Sequence, residues 1–92
     1  MQFSDVRIRL ISNPESKLKA VASITIDECF VVHDIKVIDG KDGLFVSMPS
    51  KKNADGAHKD IAHPIKTETR AELQSVVLEA YNKAVQENAE QN

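Results

Sequence analysis

The spacing of apolar residues changes once along this chain, and that change constrains the fold more than any other feature. From Phe3 to Ile65, most apolar residues alternate with polar ones, as in half-buried β-strands. After Thr67, they recur at the spacing of one face of an α-helix. A chain of 92 residues makes one domain. The order therefore predicts an α+β fold in which an antiparallel sheet precedes a single C-terminal amphipathic helix.

Turn residues divide the first region into five predicted strands. Asn13-Pro14 and the glycines Gly40 and Gly43 have turn chemistry, and Pro64 cannot donate to a sheet ladder. The predicted strands are Phe3–Ile11, Lys17–Ile26, Cys29–Ile38, Leu44–Met48 and Asp60–Ile65. We expect the last two strands to form a long hairpin, with the polar segment Ser50–Lys59 as its mobile basic tip.

The predicted helix has one apolar stripe, made of Leu73, Val76, Val77, Ala80, Tyr81 and Ala84. Thr69 followed by Glu72 is typical of a capping box, and Thr67 is an alternative cap. We expect the helix to fade after Val85. Residues 1–86 then form the single domain, and residues 87–92 a disordered polar tail.

We expect the helix stripe to cover one face of a curved sheet. The residues predicted for that face are Val6, Ile8, Leu10, Leu18, Ala20 and Ile24, with parts of the third strand. Such a sheet has two edges, and exposed edges invite pairing with another copy. The sequence therefore predicts a homodimer that forms through strands.

Composition excludes several classes of protein. The formal net charge is −2, so no global field draws the chain to nucleic acid. The single cysteine, Cys29, excludes an intrachain disulfide, and its apolar neighbours predict a buried thiol. Neither a membrane-spanning run nor a signal peptide is present, so we expect a cytoplasmic protein.

No motif for catalysis, a cofactor or a metal is recognisable. The chain has neither a nucleophile elbow nor a phosphate-binding loop. His33, His58 and His63 do not have the spacing of metal ligands, and Cys29 has no partner. We therefore expect a protein that is not an enzyme and that holds no cofactor, metal or small-molecule substrate.

One segment is locally basic. From Ser47 to Arg70 there are five basic residues against three acidic ones. The basic residues are Lys51, Lys52, Lys59, Lys66 and Arg70. With Asn53, Thr67 and Thr69 as neutral donors, they could follow the phosphates of a nucleic acid. The alternative is that these lysines are simply solvated, since the excess is only two charges.

Several short motifs in the sequence resemble motifs of the stage V sporulation protein G (SpoVG) family. They are Val31–Ile35, Val37–Gly40, Gly43–Val46, Met48–Lys51 and Asp60–Ile65, with Asp5–Arg9 and Ala22–Thr25 before them. The resemblance extends from Ser4 to Tyr81. It implies a dimer that binds DNA, and possibly RNA, and regulates transcription, with links to septation, the cell cycle and sporulation.

The resemblance also bears on individual residues. The family has Lys or Arg at the positions of Lys51, Lys52, Lys59 and Arg70, and this chain keeps all four. His58 stands where family members usually have Phe or Tyr.

Our hypothesis is that the basic residues neutralise phosphates while the helix start approaches base edges. Arg70 and Gln74 are the expected readers of bases, and His58 and Thr69 are further contacts. The alternative is an adaptor for septum formation or sporulation timing that does not bind nucleic acid. It would use the sheet edge or the acidic outer face of the helix.

Overall fold

The computed structural model describes the backbone of residues 1–90 and the side chains of residues 1–88. It confirms the α+β class, with antiparallel sheets followed by one helix. In chain order the elements are β1 (Phe3–Leu10), β2 (Leu18–Ile26), β3 (Phe30–Gly40), β4 (Gly43–Ser47), β5 (Ser50–Lys52), β6 (His58–Asp60) and α1 (Thr67–Glu90). The first four strands form one antiparallel sheet in the order β1-β2-β3-β4, and β5 and β6 form a separate pair.

A tight turn joins β2 to β3 in the larger sheet. Cys29 N–H donates to Ile26 O at 3.1 Å, and the two residues between them, Asp27 and Glu28, have φ of 51° and 58°. Two left-handed residues in this position give a turn whose twist matches that of the flanking strands. Cys29 closes this turn and is exposed. Our expectation of a buried thiol was therefore wrong, because Cys29 lies in the turn and not within a strand.

One face of the sheet forms the core with the helix. The buried apolar residues form one cluster: Ala20, Ala22, Ile24, Ile35, Val37, Met48, Leu73 and Val77. The predicted helix stripe is confirmed, since each of its six residues is buried or half-buried. Burial of apolar surface stabilises the fold by about 25 cal/mol per Å². We call the face that meets α1 the core face and the opposite one the outer face.

Register shifts decide which side chains reach the core face. Ala20 pairs with Val37 but Leu18 pairs with Ile38, so β2 has one extra residue there. A one-residue shift moves a side chain to the other face of a sheet. Leu18 therefore shares the outer face with Ile38, and our placement of Leu18 under the helix was wrong. Similar shifts occur in β1 between Ser4 and Arg7, and in β3 opposite Ala22 and Ile24.

The predicted fifth strand does not form. Ile61 N–H donates to Pro49 O at 2.8 Å, and the chain then leaves the sheet. Ile61 and Ile65 are 69% and 90% exposed. They therefore do not form the buried face of a strand, although their spacing predicted one. The strands that do form, β5 and β6, lie in the segment that we expected to be a mobile tip. The larger sheet therefore has four strands, not five.

Both predicted ends of the helix were also wrong. Arg70 N–H donates to Lys66 O at 3.0 Å, so the helix begins at Thr67 and Thr69 lies within its first turn. The N-cap is the residue whose carbonyl accepts the first helical bond. That residue is Lys66, so neither Thr69 nor the alternative, Thr67, is the N-cap. The helix continues to Glu90 because Ala, Gln and Glu favour helix even without an apolar stripe. Residues 91–92 of the predicted tail lie outside the described residues.

A matched pair of substitutions tests this core. Ile24 is fully buried and Ile65 is 90% exposed. We expect Ile24→Ala to lower the free energy of unfolding by about 2–5 kcal/mol, since it leaves a cavity. The same change at Ile65 should alter it by less than about 0.5 kcal/mol. Urea unfolding at one protein concentration measures both values, and an equal loss at the two sites would contradict the core described here.

Candidate nucleic-acid interface

A short two-stranded ribbon carries half of the predicted site. We call residues 50–60 the cationic ribbon. Lys51 is paired directly with Lys59, and Lys52 with His58. All four side chains are exposed. The ribbon therefore brings together four residues that are up to eight positions apart in the sequence.

The tip of the cationic ribbon is closed by its own hydrogen bonds. Asn53 N–H donates to Ala57 O at 2.7 Å, and Gly56 N–H donates to Asn53 O at 3.0 Å. Gly56 has φ of 89°, a conformation that L side chains rarely adopt. Asp55 Oδ1 accepts from Ala57 N–H at 3.4 Å, so this carboxylate contacts the tip backbone. The turn residues therefore set the lysine pairing.

Within the described side chains, the positive charges on the cationic ribbon have no carboxylate partner. Among the side chains that the structure describes, the one ion pair joins Arg7 to Asp5, at 3.5 Å. Like charges directly opposite each other destabilise an antiparallel pair, and an isolated two-stranded hairpin is marginal in water. The Lys51–Lys59 pair is thus a local repulsion that an approaching anion would relieve.

The helix start carries the rest of the predicted site. Lys66 and Arg70 are exposed and line one open depression with His63, Pro64 and Ile65. Gln74 follows Arg70 by one helical turn and is half-buried. Gln74 and Arg70 line a small cavity together with Pro64. Of the two predicted base readers, Arg70 is therefore the more accessible.

Thr69 is placed differently from the other predicted site residues. It is half-buried and lines an apolar cavity of about 190 Å³ between the helix start and the sheet. Phe3, Phe30, Met48 and Leu73 are among the other lining residues. The structure places the remaining seven predicted residues in two groups: Lys51, Lys52, His58 and Lys59 on the cationic ribbon, and Lys66, Arg70 and Gln74 on the helix start. Six of them are exposed, and Gln74 is half-buried.

The two groups are close in the chain. Seven peptide steps separate Lys59 from Lys66, which limits the distance between these two Cα atoms to about 25 Å. One turn of a DNA duplex is about 34 Å. Both groups are therefore near enough to contact a single turn of duplex.

Two further features of the described residues concern other classes of function. In this part of the chain, no three or more His, Cys, Asp or Glu side chains lie close enough to hold a metal ion. Within residues 1–90, α1 is not apolar enough to cross a membrane.

Comparison with known proteins decides the family. The SpoVG family model matches residues 1–83. The chain belongs to the SpoVG family. The resemblance seen in the sequence is therefore confirmed, and the match extends over both groups of the site.

Individual SpoVG relatives are similar along nearly their whole length. A protein of Lachnospira eligens is 62% identical over 84 residues, which are 91% of this chain and 94% of the relative. One from Clostridium beijerinckii is 60% identical over 87 residues, 95% of this chain and 94% of the relative. Both are named "Putative septation protein SpoVG". The protein named SpoVG 2 in Listeria monocytogenes is 55% identical over 89 residues, 97% of this chain and 86% of the relative. These names describe septation and specify no reaction.

Sequence reasoning missed several surface residues that the structure places together. Arg7, Arg9 and His33 line one open depression on the outer face. Phe30, Ile61 and Ile65 are large apolar side chains that are mostly exposed. The alternation of Arg7 and Arg9 with apolar residues indicated the first group. Nothing in the sequence separated the second group from core residues.

The repulsion within the cationic ribbon can be measured. Lys59→Glu places a carboxylate opposite Lys51, and such a change stabilises a cross-strand pair by about 0.2–1 kcal/mol. We expect exchange of the Asn53 amide hydrogen to slow by about 1.4- to 5-fold. Hydrogen exchange followed by NMR measures this. The effect should shrink in 1 M salt, where charges are screened beyond about 3 Å. Equal exchange rates at low salt would contradict the repulsion.

Proposed function

We propose that this protein is a homodimeric regulator of bacterial gene expression that binds nucleic acid, with a part in septation and sporulation. The supporting observation is the cationic ribbon, in which Lys51 and Lys59 stand opposite each other and make no ion pair within the described residues. A polyanion supplies what this pair lacks, because phosphates placed near both ammonium groups replace repulsion with attraction. The septation names of the relatives support the cellular role.

The shape of the cationic ribbon suits a duplex. The major groove is about 12 Å wide and admits a two-stranded β-ribbon. Lys51 and Lys52 have successive positions on β5, so they project to opposite faces of the ribbon. Each can then contact one of the two phosphate backbones that border the groove. These are positioning contacts and carry no sequence information.

Sequence preference requires a contact with base edges, and the helix start provides it. Arg70 is exposed one turn after Lys66. A guanidinium group can donate two hydrogen bonds to guanine. Lys66 and the ribbon lysines would hold the backbone while Arg70 contacts the groove, and half-buried Gln74 supports Arg70 from the next turn. His58 adds a ring at the ribbon surface, opposite Lys52.

The dimer is supported by a difference between the two edges of the larger sheet. β1 has a bulge at Asp5, whose φ is 46°, and charged residues along its edge. Bulges and charges are devices that keep an edge from pairing. β4 is Gly-Leu-Phe-Val-Ser, with neither a charge nor a proline, and Leu44 and Phe45 are exposed. The β4 edge is therefore the one suited to pairing with a second copy.

The hydrogen-bond pattern supports the same edge. Asp39 N–H donates to Lys17 O, on the β2 side of β3. Polar backbone groups alternate between the two sides of a strand. Leu44 pairs with Asp39, so in a regular ladder Leu44 turns its N–H and C=O away from β3. Val46 is two residues further and does the same. These unpaired groups would form the ladder of the dimer.

Binding can be tested with charge-matched variants. We expect Lys51→Ala/Lys52→Ala to weaken binding to every duplex alike and to reduce the slope of log K against log[salt] by about 0.9 for each phosphate that is no longer neutralised. Arg70→Ala should cost about 1–3 kcal/mol and also reduce sequence preference. Gel shift and fluorescence anisotropy across a salt series measure these effects.

The control for this test is Lys41→Ala/Lys83→Ala, which removes two exposed lysines outside both groups of the site. It should leave the salt slope unchanged. If the wild-type protein retards neither DNA nor RNA at physiological salt, the proposal is wrong, and an adaptor that acts through protein contacts becomes the better account.

The dimer has its own test. Leu44→Lys places a charge on the β4 edge, and Val85→Lys places the same charge on α1. The two wild-type residues are similarly exposed, at 38% and 41%. We expect only Leu44→Lys to produce a monomer, because charged side chains protect edges from pairing. Sedimentation velocity measures the mass. A Leu44→Lys variant that remains a dimer would contradict pairing through β4.

A further inference from the structure

The outer face of the larger sheet is not covered by any element that the structure describes. Strand pairing places Arg9, Val21, Lys36 and Ser47 in one row across all four strands. Arg7 and Ser23 form the next row, beside His33. Arg7 and Arg9 are exposed and Lys36 is half-buried. Three cations from two strands therefore project from the same face, away from the helix.

No carboxylate among the described residues fully neutralises these three cations. Arg7 contacts Asp5 through Nε at 3.5 Å, and both side chains are more than half exposed, at 78% and 61%. This loose pair leaves the terminal nitrogens of Arg7 free to donate. Arg9 and Lys36 make no ion pair with the side chains that the structure describes.

The net charge of the outer face is opposite in sign to that of α1. Its cations, Arg7, Arg9 and Lys36, exceed its carboxylates, Asp5 and Asp34, by one charge. The described turns of α1 have an excess of acidic residues, with Glu68, Glu72, Glu79 and Glu87 against Arg70 and Lys83. A polyanion is therefore attracted to the outer face and repelled by the later turns of α1, beyond the helix start that carries Lys66 and Arg70.

Apolar side chains lie beside these cations. Ile38 pairs with both Leu18 and Phe45, and Val31 pairs with Thr25, so all of these share the outer face. Phe45 is 43% exposed and Val31 is 48% exposed. The face thus offers cationic groups next to apolar ones on one open surface, with Ser23 and Ser47 as neutral donors between them.

From this combination we infer that the outer face binds a single-stranded nucleic acid. A single strand presents phosphates along one side and unpaired bases along the other, whereas a duplex keeps its bases stacked inside. Arg7, Arg9 and Lys36 would contact phosphates, and Phe45 would receive a base. The inference deepens the proposed function and rests on it, since it assigns a second nucleic-acid surface to the same protein.

The proposed dimer would extend this surface. Pairing of two antiparallel β4 edges keeps both outer faces on the same side of one eight-stranded sheet. Neighbouring strands are about 4.8 Å apart, so the two copies of β1 would lie about 34 Å from each other. That length suits a strand within the range of about 4–16 nucleotides that single-strand-binding folds cover.

The test compares labelled oligouridylate and oligothymidylate of about 15 nucleotides with a DNA hairpin duplex. The variants are Arg7→Ala/Arg9→Ala and Phe45→Ala, with Lys41→Ala/Lys83→Ala as the charge-matched control. Fluorescence anisotropy across a salt series gives the affinity and its salt slope. Circular dichroism confirms that each variant folds, and the Arg7→Ala/Arg9→Ala result stands if Phe45→Ala does not fold.

We expect Arg7→Ala/Arg9→Ala to weaken single-strand binding and to reduce its salt slope by about 0.7 for each phosphate that is no longer neutralised. Phe45→Ala should weaken it by about 5- to 150-fold, the cost of removing one base stack. Duplex binding should change much less in both variants. Similar losses on uridylate and thymidylate indicate that the face recognises single strands, and a loss on one alone identifies the preferred of the two polymers.

Two results would overturn this inference and leave the proposed function intact. One is unchanged single-strand affinity in Arg7→Ala/Arg9→Ala while Lys51→Ala/Lys52→Ala weakens duplex binding. The other is an equal loss for single strand and duplex. Failure of the wild-type protein to bind any of the probes would overturn both.

Discussion

The structure depends on the contact between one stripe of α1 and one face of the four-stranded sheet. Leu73 and Val77 from the helix lie in the same cluster as Ile24, Ile35 and Val37 from the strands. A domain of this size buries a smaller fraction of its surface than a larger one, so it has little surplus core to lose. The helix can cover only one face, and the other face of the sheet is left open for contact with other molecules.

The bulges decide which residues are left on that open face. Side chains alternate between the two faces of a regular strand, and one inserted residue reverses this alternation for the residues that follow it. In β3, the extra residue lies near Asp34, whose φ is 63°, and it lets both Val32 and Ile35 reach the core face. The bulge in β1 lets both Phe3 and Ile8 reach the core face, while Arg7 and Arg9 stay on the outer face. The bulges therefore produce both the core and the cationic outer face.

These bulges also explain how far the sequence predicts the fold. Alternation located the four long strands and helical spacing located the stripe of α1, because both signals report one buried face. Leu18 was misplaced because a bulge changes the alternation without a mark in the sequence. The segment Asp60–Ile65 was wrongly predicted to be a strand, because its exposed isoleucines have the spacing of buried strand residues. Thr69 resembled a cap, but the hydrogen bond from Arg70 N–H to Lys66 O places Thr69 inside the helix.

The candidate site was partly predictable for a different reason. Charge is local in sequence, so the excess at Lys51, Lys52 and Lys59 was visible without a structure. The pairing of Lys51 with Lys59 was not, since it depends on where a turn closes. Arg7, Arg9 and Lys36 come from two strands and are not close in the sequence. Their common surface exists only once the register of the sheet is set.

The proposed binding residues are largely separate from the residues that stabilise the core. The cationic ribbon contributes no residue to the buried cluster, and the cations of the outer face point away from it. Substitutions at these positions can therefore change charge without opening a cavity, so a loss of affinity in such variants would report on the binding surface itself. Some of these cations share an element with the core. Arg70 is followed within one turn by buried Leu73, and Lys36 lies between buried Ile35 and Val37 on β3. A nucleic acid held at Arg70 would thus contact a turn of α1 that also supplies a core residue.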